Sequence, residues 1–113
     1  MEARAMLRHA KITPRKARRV IDLIRGEKAG KAMVSLQFMP YRGAKFVEKL
    51  LRSAMANAEQ KDVAVPEDMR IVRAYVDEGP VMKRLRARAM GRANVIKKKS
   101  SHITVVLAEE EEE

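Results

Sequence analysis

The sequence predicts an α+β domain that carries a long, protruding, basic β-hairpin. Three observations lead there. Apolar residues recur at helical spacing between Thr13 and Gln60, with Pro and Gly at the breaks. From Met69 onward the apolar period changes to two. Between the two period-two segments, residues 81–99 hold Lys83, Arg84, Arg86, Arg88, Arg92, Lys97, Lys98 and Lys99 and not one acid.

Residues 3–9 alternate imperfectly and are read as a short strand. Thr13 followed by Pro14 starts a helix, because Thr can cap and Pro at the first helical position forfeits no hydrogen bond. Ala17, Val20, Ile21 and Ile24 form its apolar stripe, and Gly26 suits its C-terminal end. A second helix is expected over Ala29–Phe38, with Ala32, Met33 and Leu36 inward and Pro40 as the stop. A third, roughly 41–60, has the stripe Phe46, Val47, Leu50, Leu51, Ala54, Met55 and Ala58, whose alanines allow close approach of another element. In the first late strand, alternation puts Ile71, Arg73, Tyr75 and Asp77 on one side and Val72, Ala74 and Val76 on the other. In the second, Ile103, Val105 and Leu107 oppose His102, Thr104 and Val106. Apolar residues on nearly both sides suggest a central or covered strand. Residues 1–108 thus read as one domain, with an extension over 79–101 and a disordered acidic tail at 109–113.

The chain of 113 residues is 46% hydrophobic but only 4% aromatic, so its core rests on Ala, Val, Leu, Ile and Met. Its net charge is +10, and setting aside the five terminal Glu leaves +15 on the rest. A body so basic calls for a polyanion, since neutralised phosphates release counterions. There is no Cys, which excludes disulfides, thiolate chemistry and Cys-ligated zinc. No apolar run reaches the roughly 20 residues of a membrane span. The basic N-terminus lacks the apolar centre of a signal peptide, so a cytoplasmic location is expected.

Two basic surfaces stand out. One is the outer face of the first helix, Arg15, Lys16, Arg18, Arg19 and Arg25, where Asp22 is the only acid. The other is the acid-free 81–99 segment. If its flanking strands pair antiparallel, it projects as a hairpin with too little apolar content to pack on itself, and its cations need phosphates to hold it. A merely solvated loop of this length and charge would be unusual. His9 and His102 are too few for a metal site, and the acids show no ligand spacing. Ser101 and Thr104 flank His102, but no acid or oxyanion hole is signalled, so His102 is read as a partner of RNA or backbone rather than a catalytic base. No enzyme activity, metal or cofactor is expected. Met33, Met39 and Met55 read as core filler, whereas Met90 is harder to bury.

At this point the chain resembles the bacterial large-subunit ribosomal protein twenty-two family over nearly its whole length. The segments are Ile12-Thr-Pro-Arg-Lys-Ala-Arg-Arg-Val-Ile-Asp-Leu-Ile-Arg-Gly26, Ser53-Ala-Met-Ala-Asn-Ala58, Val76-Asp-Glu-Gly-Pro80, Gly91-Arg-Ala93 and Ser101-His-Ile-Thr-Val-Val106. Their order and spacing are highly specific. The resemblance implies three helices packed on a small three-stranded antiparallel sheet. It implies a hairpin reaching into the large subunit, with a tip at Ala87, Arg88, Ala89, Met90 and Gly91 that helps line the polypeptide exit tunnel.

The implied partners are 23S ribosomal RNA, neighbouring large-subunit proteins and the nascent polypeptide near the tip. The implied roles are structural support and subunit assembly by a protein that is monomeric when free. The family's hairpin tip also influences macrolides and some stalling nascent chains. Carried onto this chain, Lys83, Arg84, Arg88 and Arg92 become hairpin contacts to RNA, Arg15, Lys16 and Arg18 contacts on the first helix, and Lys97, Lys98 and Lys99 the grip at the stem. Two departures fall near the tip. The family commonly has Pro where Ala87 stands and Arg where Met90 stands. A general basic nucleic-acid-binding protein, for example one of the nucleoid, is the alternative reading. A small RNase and a messenger-RNA regulator are weaker ones.

Overall fold

A computed structural model describes residues 2–80, 82–87 and 93–109, and the side chains of all of these except 82–87 and 93–98. The elements in chain order are β1 (Glu2–Ala10), α1 (Pro14–Ile24), α2 (Ala29–Phe38), α3 (Gly43–Gln60), β2 (Arg70–Glu78), β3 (Met82–Ala87), β4 (Ala93–Lys98) and β5 (Ser101–Ala108). A short 3₁₀ turn, Pro66–Asp68, leads into β2. The three helices, the antiparallel sheet and the basic hairpin are those the sequence predicts.

Thr13 sits at the α1 N-cap with extended backbone angles and Pro14 follows it, yet the Thr13 side chain makes no capping bond. Its carbonyl instead accepts from the Ala17 N–H at 3.1 Å, so the start of α1 rests on Pro14 and backbone geometry. Gly26 has φ +84°, a left-handed conformation that Gly adopts without a Cβ clash, and its N–H donates to the Ile71 carbonyl. The third helix begins at Gly43 rather than 41, because Pro40 and Tyr41 stay non-helical.

The main sheet runs β1-β5-β2, antiparallel throughout. β5 is central, and both its faces are buried from Ile103 to Leu107, as its two-sided apolar pattern indicates. Paired rows on the inner face are Ala3–Leu107–Ile71, Ala5–Val105–Ala74 and Leu7–Ile103–Val76. The helices close over these rows with Ala17, Val20, Ile21, Ile24, Val47, Leu51, Ala54 and Ala58, all fully buried. Rows on the opposite face are Arg4–Val106–Arg73 and Met6–Thr104–Tyr75.

Strict alternation fails in β2. Ile71 is buried with Ala74 and Val76, not grouped with Arg73 and Tyr75, and Val72 is exposed. Ile71 pairs with Leu107 and Arg73 with Val106, so Val72 is an extra residue in a β-bulge. One inserted residue shifts the period-two pattern by one position, which carries Ile71 to the core face.

Each sheet edge is covered along part of its length. On the β2 side, the Gly26–Ala29 linker pairs with residues 69–71, through Gly26 N–H to Ile71 O, Ile71 N–H to Glu27 O and Ala29 N–H to Met69 O. On the β1 side, α3 reaches across with Asn57 Nδ2 donating to Arg4 O (2.9 Å) and Lys61 Nζ to Glu2 O (2.8 Å). Edge carbonyls taken up this way no longer offer a template to another strand.

The hairpin is an excursion between β2 and β5. Glu78 pairs with Ser101, Gly79 N–H donates to Ser100 O at 2.9 Å, and β3 pairs with β4 from Met82↔Lys98 to Ala87↔Ala93. The register changes by one residue across Pro80, which has no N–H to give the ladder. The β3–β4 ladder is a separate two-stranded sheet. The molecule measures 68 × 25 × 19 Å with a radius of gyration of 17.2 Å, against about 13 Å for a compact chain of this length. The tip residues Arg88, Ala89, Met90, Gly91 and Arg92, and the tail 110–113, lie outside the described residues.

Candidate nucleic-acid interface

The basic face of α1 divides into two sets. Arg18 and Arg25 turn toward the open edge of β2. Arg18 NH2 donates to Val76 O at 3.0 Å. Arg25 donates to Ala74 O through Nε (3.2 Å) and NH2 (2.8 Å), and its NH1 pairs with Asp22 Oδ1 at 2.9 Å. Three guanidinium donors thus satisfy edge carbonyls, which locks α1 to the sheet. Arg15 and Lys16 remain exposed and make no ion pair with any described residue. Arg19 lies with its guanidinium carbon 5.5 Å from the centre of the Tyr41 ring, within cation–π range.

Beside this helix face is an open basin of about 860 Å³. One wall is α1, through Thr13, Lys16 and Arg19, and the second is the turn before α3, through Pro40, Tyr41, Arg42 and Gly43. The end of β1 and the residues after it, His9, Lys11 and Ile12, form the third. Pro80, Lys99 and Ser100 close it from the hairpin root. Among the described residues, five cations line the basin (Lys11, Lys16, Arg19, Arg42 and Lys99) and no carboxylate does. Its shape depends on close packing at Gly43, where a Cβ would come within 2.7 Å of Ile12 Cδ1 and 3.3 Å of Val20 Cγ2.

The basin therefore brings together Lys16, Arg19 and Lys99, three of the candidates read from sequence. Arg15 is on the same helix but not in the basin wall, and Arg18 and Arg25 face the β2 edge. The side chains of Lys83, Arg84, Arg86, Ala87, Lys97 and Lys98 are not among those described, although their backbones form the hairpin ladder. Sequence reasoning missed Lys11, Tyr41 and Arg42. The available signal was local: an aromatic and an Arg held between Pro40 and Gly43, in a chain with only two Tyr and two Phe.

His102 contacts the backbone. Its Nδ1 accepts the His9 N–H at 3.1 Å, and the two rings meet edge to face with centres 4.8 Å apart. The acceptor at Nδ1 places the neutral ring's proton on Nε2. Asp77 is opposite His102 across the β2–β5 ladder. Ser101, however, is fully buried and its Oγ donates to the Ile12 carbonyl at 2.7 Å. A serine committed to a core carbonyl is no nucleophile for His102. Among the described residues no cluster of His, Asp or Glu is arranged to hold a metal ion, and no helix is long and apolar enough to cross a membrane.

An acid-free basin at the root of a basic hairpin, on a small α+β body, defines a polyanion-binding protein. The Ribosomal protein L22p/L17e family profile matches residues 5–108. The chain is 52% identical over 112 residues to the large ribosomal subunit protein uL22 of Halothermothrix orenii, covering 99% of each. The same-named protein of Carboxydothermus hydrogenoformans is 47% identical over 112 residues, again 99% of each, and that of Caldicellulosiruptor saccharolyticus 53% over 110 residues, 97% of this chain and 90% of the relative. The chain belongs to the ribosomal protein L22p/L17e family.

Proposed function

We propose that this protein is a structural constituent of the large ribosomal subunit, in the cytoplasm, that binds 23S ribosomal RNA and helps line the polypeptide exit tunnel through its hairpin. It is not an enzyme. Family membership supports ribosomal RNA and other ribosomal proteins as its partners. The observation that carries the reading is the acid-free basin where the body meets the hairpin. It joins cations from α1, the turn before α3 and the hairpin root into one surface of a single sign. Phosphates placed there displace counterions, and the acid-free 81–99 segment gains the opposite charge that its cations call for.

Contact with RNA is assigned to Arg15, Lys16, Arg19 and Lys99 on the body and to Lys83, Arg84, Arg86, Arg88, Arg92, Lys97 and Lys98 on the hairpin. Arg18 and Arg25 contribute charge while holding the β2 edge, and His102 sets the backbone at the hairpin root. The tip, 87–91, approaches the nascent polypeptide, and residues 1–108 act as one unit, apart from the acidic tail 109–113.

The test is reconstitution of large subunits with the full chain and with a chain lacking residues 82–98, followed by UV crosslinking to ribosomal RNA. Body contacts in both, with tunnel-wall contacts in the full chain only, are expected. Absence of specific incorporation of either would overturn the reading and leave a general basic nucleic-acid binder.

A further inference from the structure

The basin at the hairpin root has features that phosphate binding alone does not require. Its walls include a tyrosine ring, and that ring already faces a guanidinium, with Arg19 Cζ 5.5 Å from the Tyr41 ring centre. Tyr41 is about two-fifths exposed, so its ring is accessible. Ile12, Pro40 and Pro80 give the lining an apolar component. At about 860 Å³ the concavity falls in the range of roughly 300–1,000 Å³ typical of small-molecule sites, far more than a phosphate group fills. RNA recognition commonly uses this combination, with an unstacked base on an aromatic ring or guanidinium plane and cations on the flanking phosphates.

We propose that the basin takes a single unstacked nucleotide of the ribosomal RNA, its base against Tyr41 and Arg19, its flanking phosphates on Lys11, Lys16, Arg42 and Lys99. The inference rests on the ribosomal-RNA reading above and adds a base-binding subsite to it. A nucleotide held there touches the body and the hairpin root at once, since Lys99 and Pro80 belong to the root and Lys16 to α1. The site thereby couples docking of the body to the angle at which the hairpin leaves it.

The test compares wild type, Tyr41→Phe, Tyr41→Ala and Lys16→Gln for binding to 23S ribosomal RNA across a salt series, with chemical probing of the RNA bases in each complex. Tyr41→Phe keeps the ring and is expected to bind like wild type. Tyr41→Ala is expected to weaken binding by about 5- to 150-fold, the range of one lost base–aromatic stack, with an unchanged salt slope. Its complex should also lose the altered reactivity of one nucleotide that wild type and Tyr41→Phe both produce. Lys16→Gln should instead lower the salt slope by about 0.7–0.9. Tyr41 is exposed, so circular dichroism of Tyr41→Ala should match wild type. Equal affinity and equal base reactivity for Tyr41→Ala and wild type would overturn the nucleotide site and leave a phosphate-only basin. Failure of wild type itself to bind the RNA specifically would overturn the proposed function, and this site with it.

Discussion

The backbone N–H of His9 donates to Nδ1 of His102 across the β1–β5 ladder, at 3.1 Å. His9 has φ +57°, an uncommon left-handed conformation for a residue with a Cβ. The register shifts between Leu7 and Ala10, so His9 lies in a β-bulge that the His102 side chain stabilises from the neighbouring strand. Ala10 and Ile12 return to the core immediately beyond it. Replacing His9 with Gly keeps the donor and relieves the backbone, and stability should stay within about 1 kcal/mol of wild type. His9→Val places a β-branched residue at positive φ and should cost about 1–2 kcal/mol. Urea unfolding of the two variants checks this, and equal stabilities would contradict the strained conformation.

Ser101 anchors the other side of the same junction. Its buried hydroxyl donates to Ile12 O at 2.7 Å, which connects the start of β5 to the segment entering α1. Ser101→Ala leaves that carbonyl without its partner and should destabilise by about 1–3 kcal/mol. A fall in Tm of several degrees, read by calorimetry, is the expected outcome.

Arg25 and Arg15 are on the same helix and should respond differently to removal. Arg25→Ala loses the two bonds to Ala74 O and the pair with Asp22, and should lower stability by about 1 kcal/mol. Arg15→Ala loses no partner among the described residues and should leave Tm unchanged. It should weaken ribosomal-RNA binding and lower the salt slope by about 0.7–0.9, as one phosphate contact would. Thermal melts and salt-dependent binding of both variants separate the roles.

Thr104 is fully buried in the row Met6–Thr104–Tyr75, and its Oγ1 has no hydrogen-bond partner among the described residues. An unpaired buried hydroxyl carries a desolvation penalty. Thr104→Val removes the hydroxyl at nearly constant shape and should raise stability by about 1 kcal/mol, measured by urea unfolding.

The α+β class, the three helices and the central position of β5 are legible in the residues because each follows from a local rule. Apolar spacing of three and four marks Ala17, Val20, Ile21 and Ile24, Pro14 and Gly26 bracket α1, and two-sided apolar content marks β5. The acid-free charge of 81–99 is legible too, since it is a matter of composition alone. What alternation could not supply is the face of Ile71, because an extra residue at Val72 is defined only against the partner strand.

Residue order by itself determined the class of fold, the sign of the charged surface and the segment that projects. Tertiary structure alone decided which cations face outward. Arg18 and Arg25 share a helix face with Arg15 and Lys16, yet two edge carbonyls of β2, at Ala74 and Val76, bind the first pair. It also decided that Lys11, Tyr41, Arg42 and Lys99 would surround one basin. Lys11, the adjacent Tyr41 and Arg42, and Lys99 come from three distant parts of the chain, and only the packing of α1 against Gly43 and the crossing of β5 beside β1 bring them together. Periodicity reports how a residue relates to its own element, whereas a site depends on the distances between elements, which long-range packing sets.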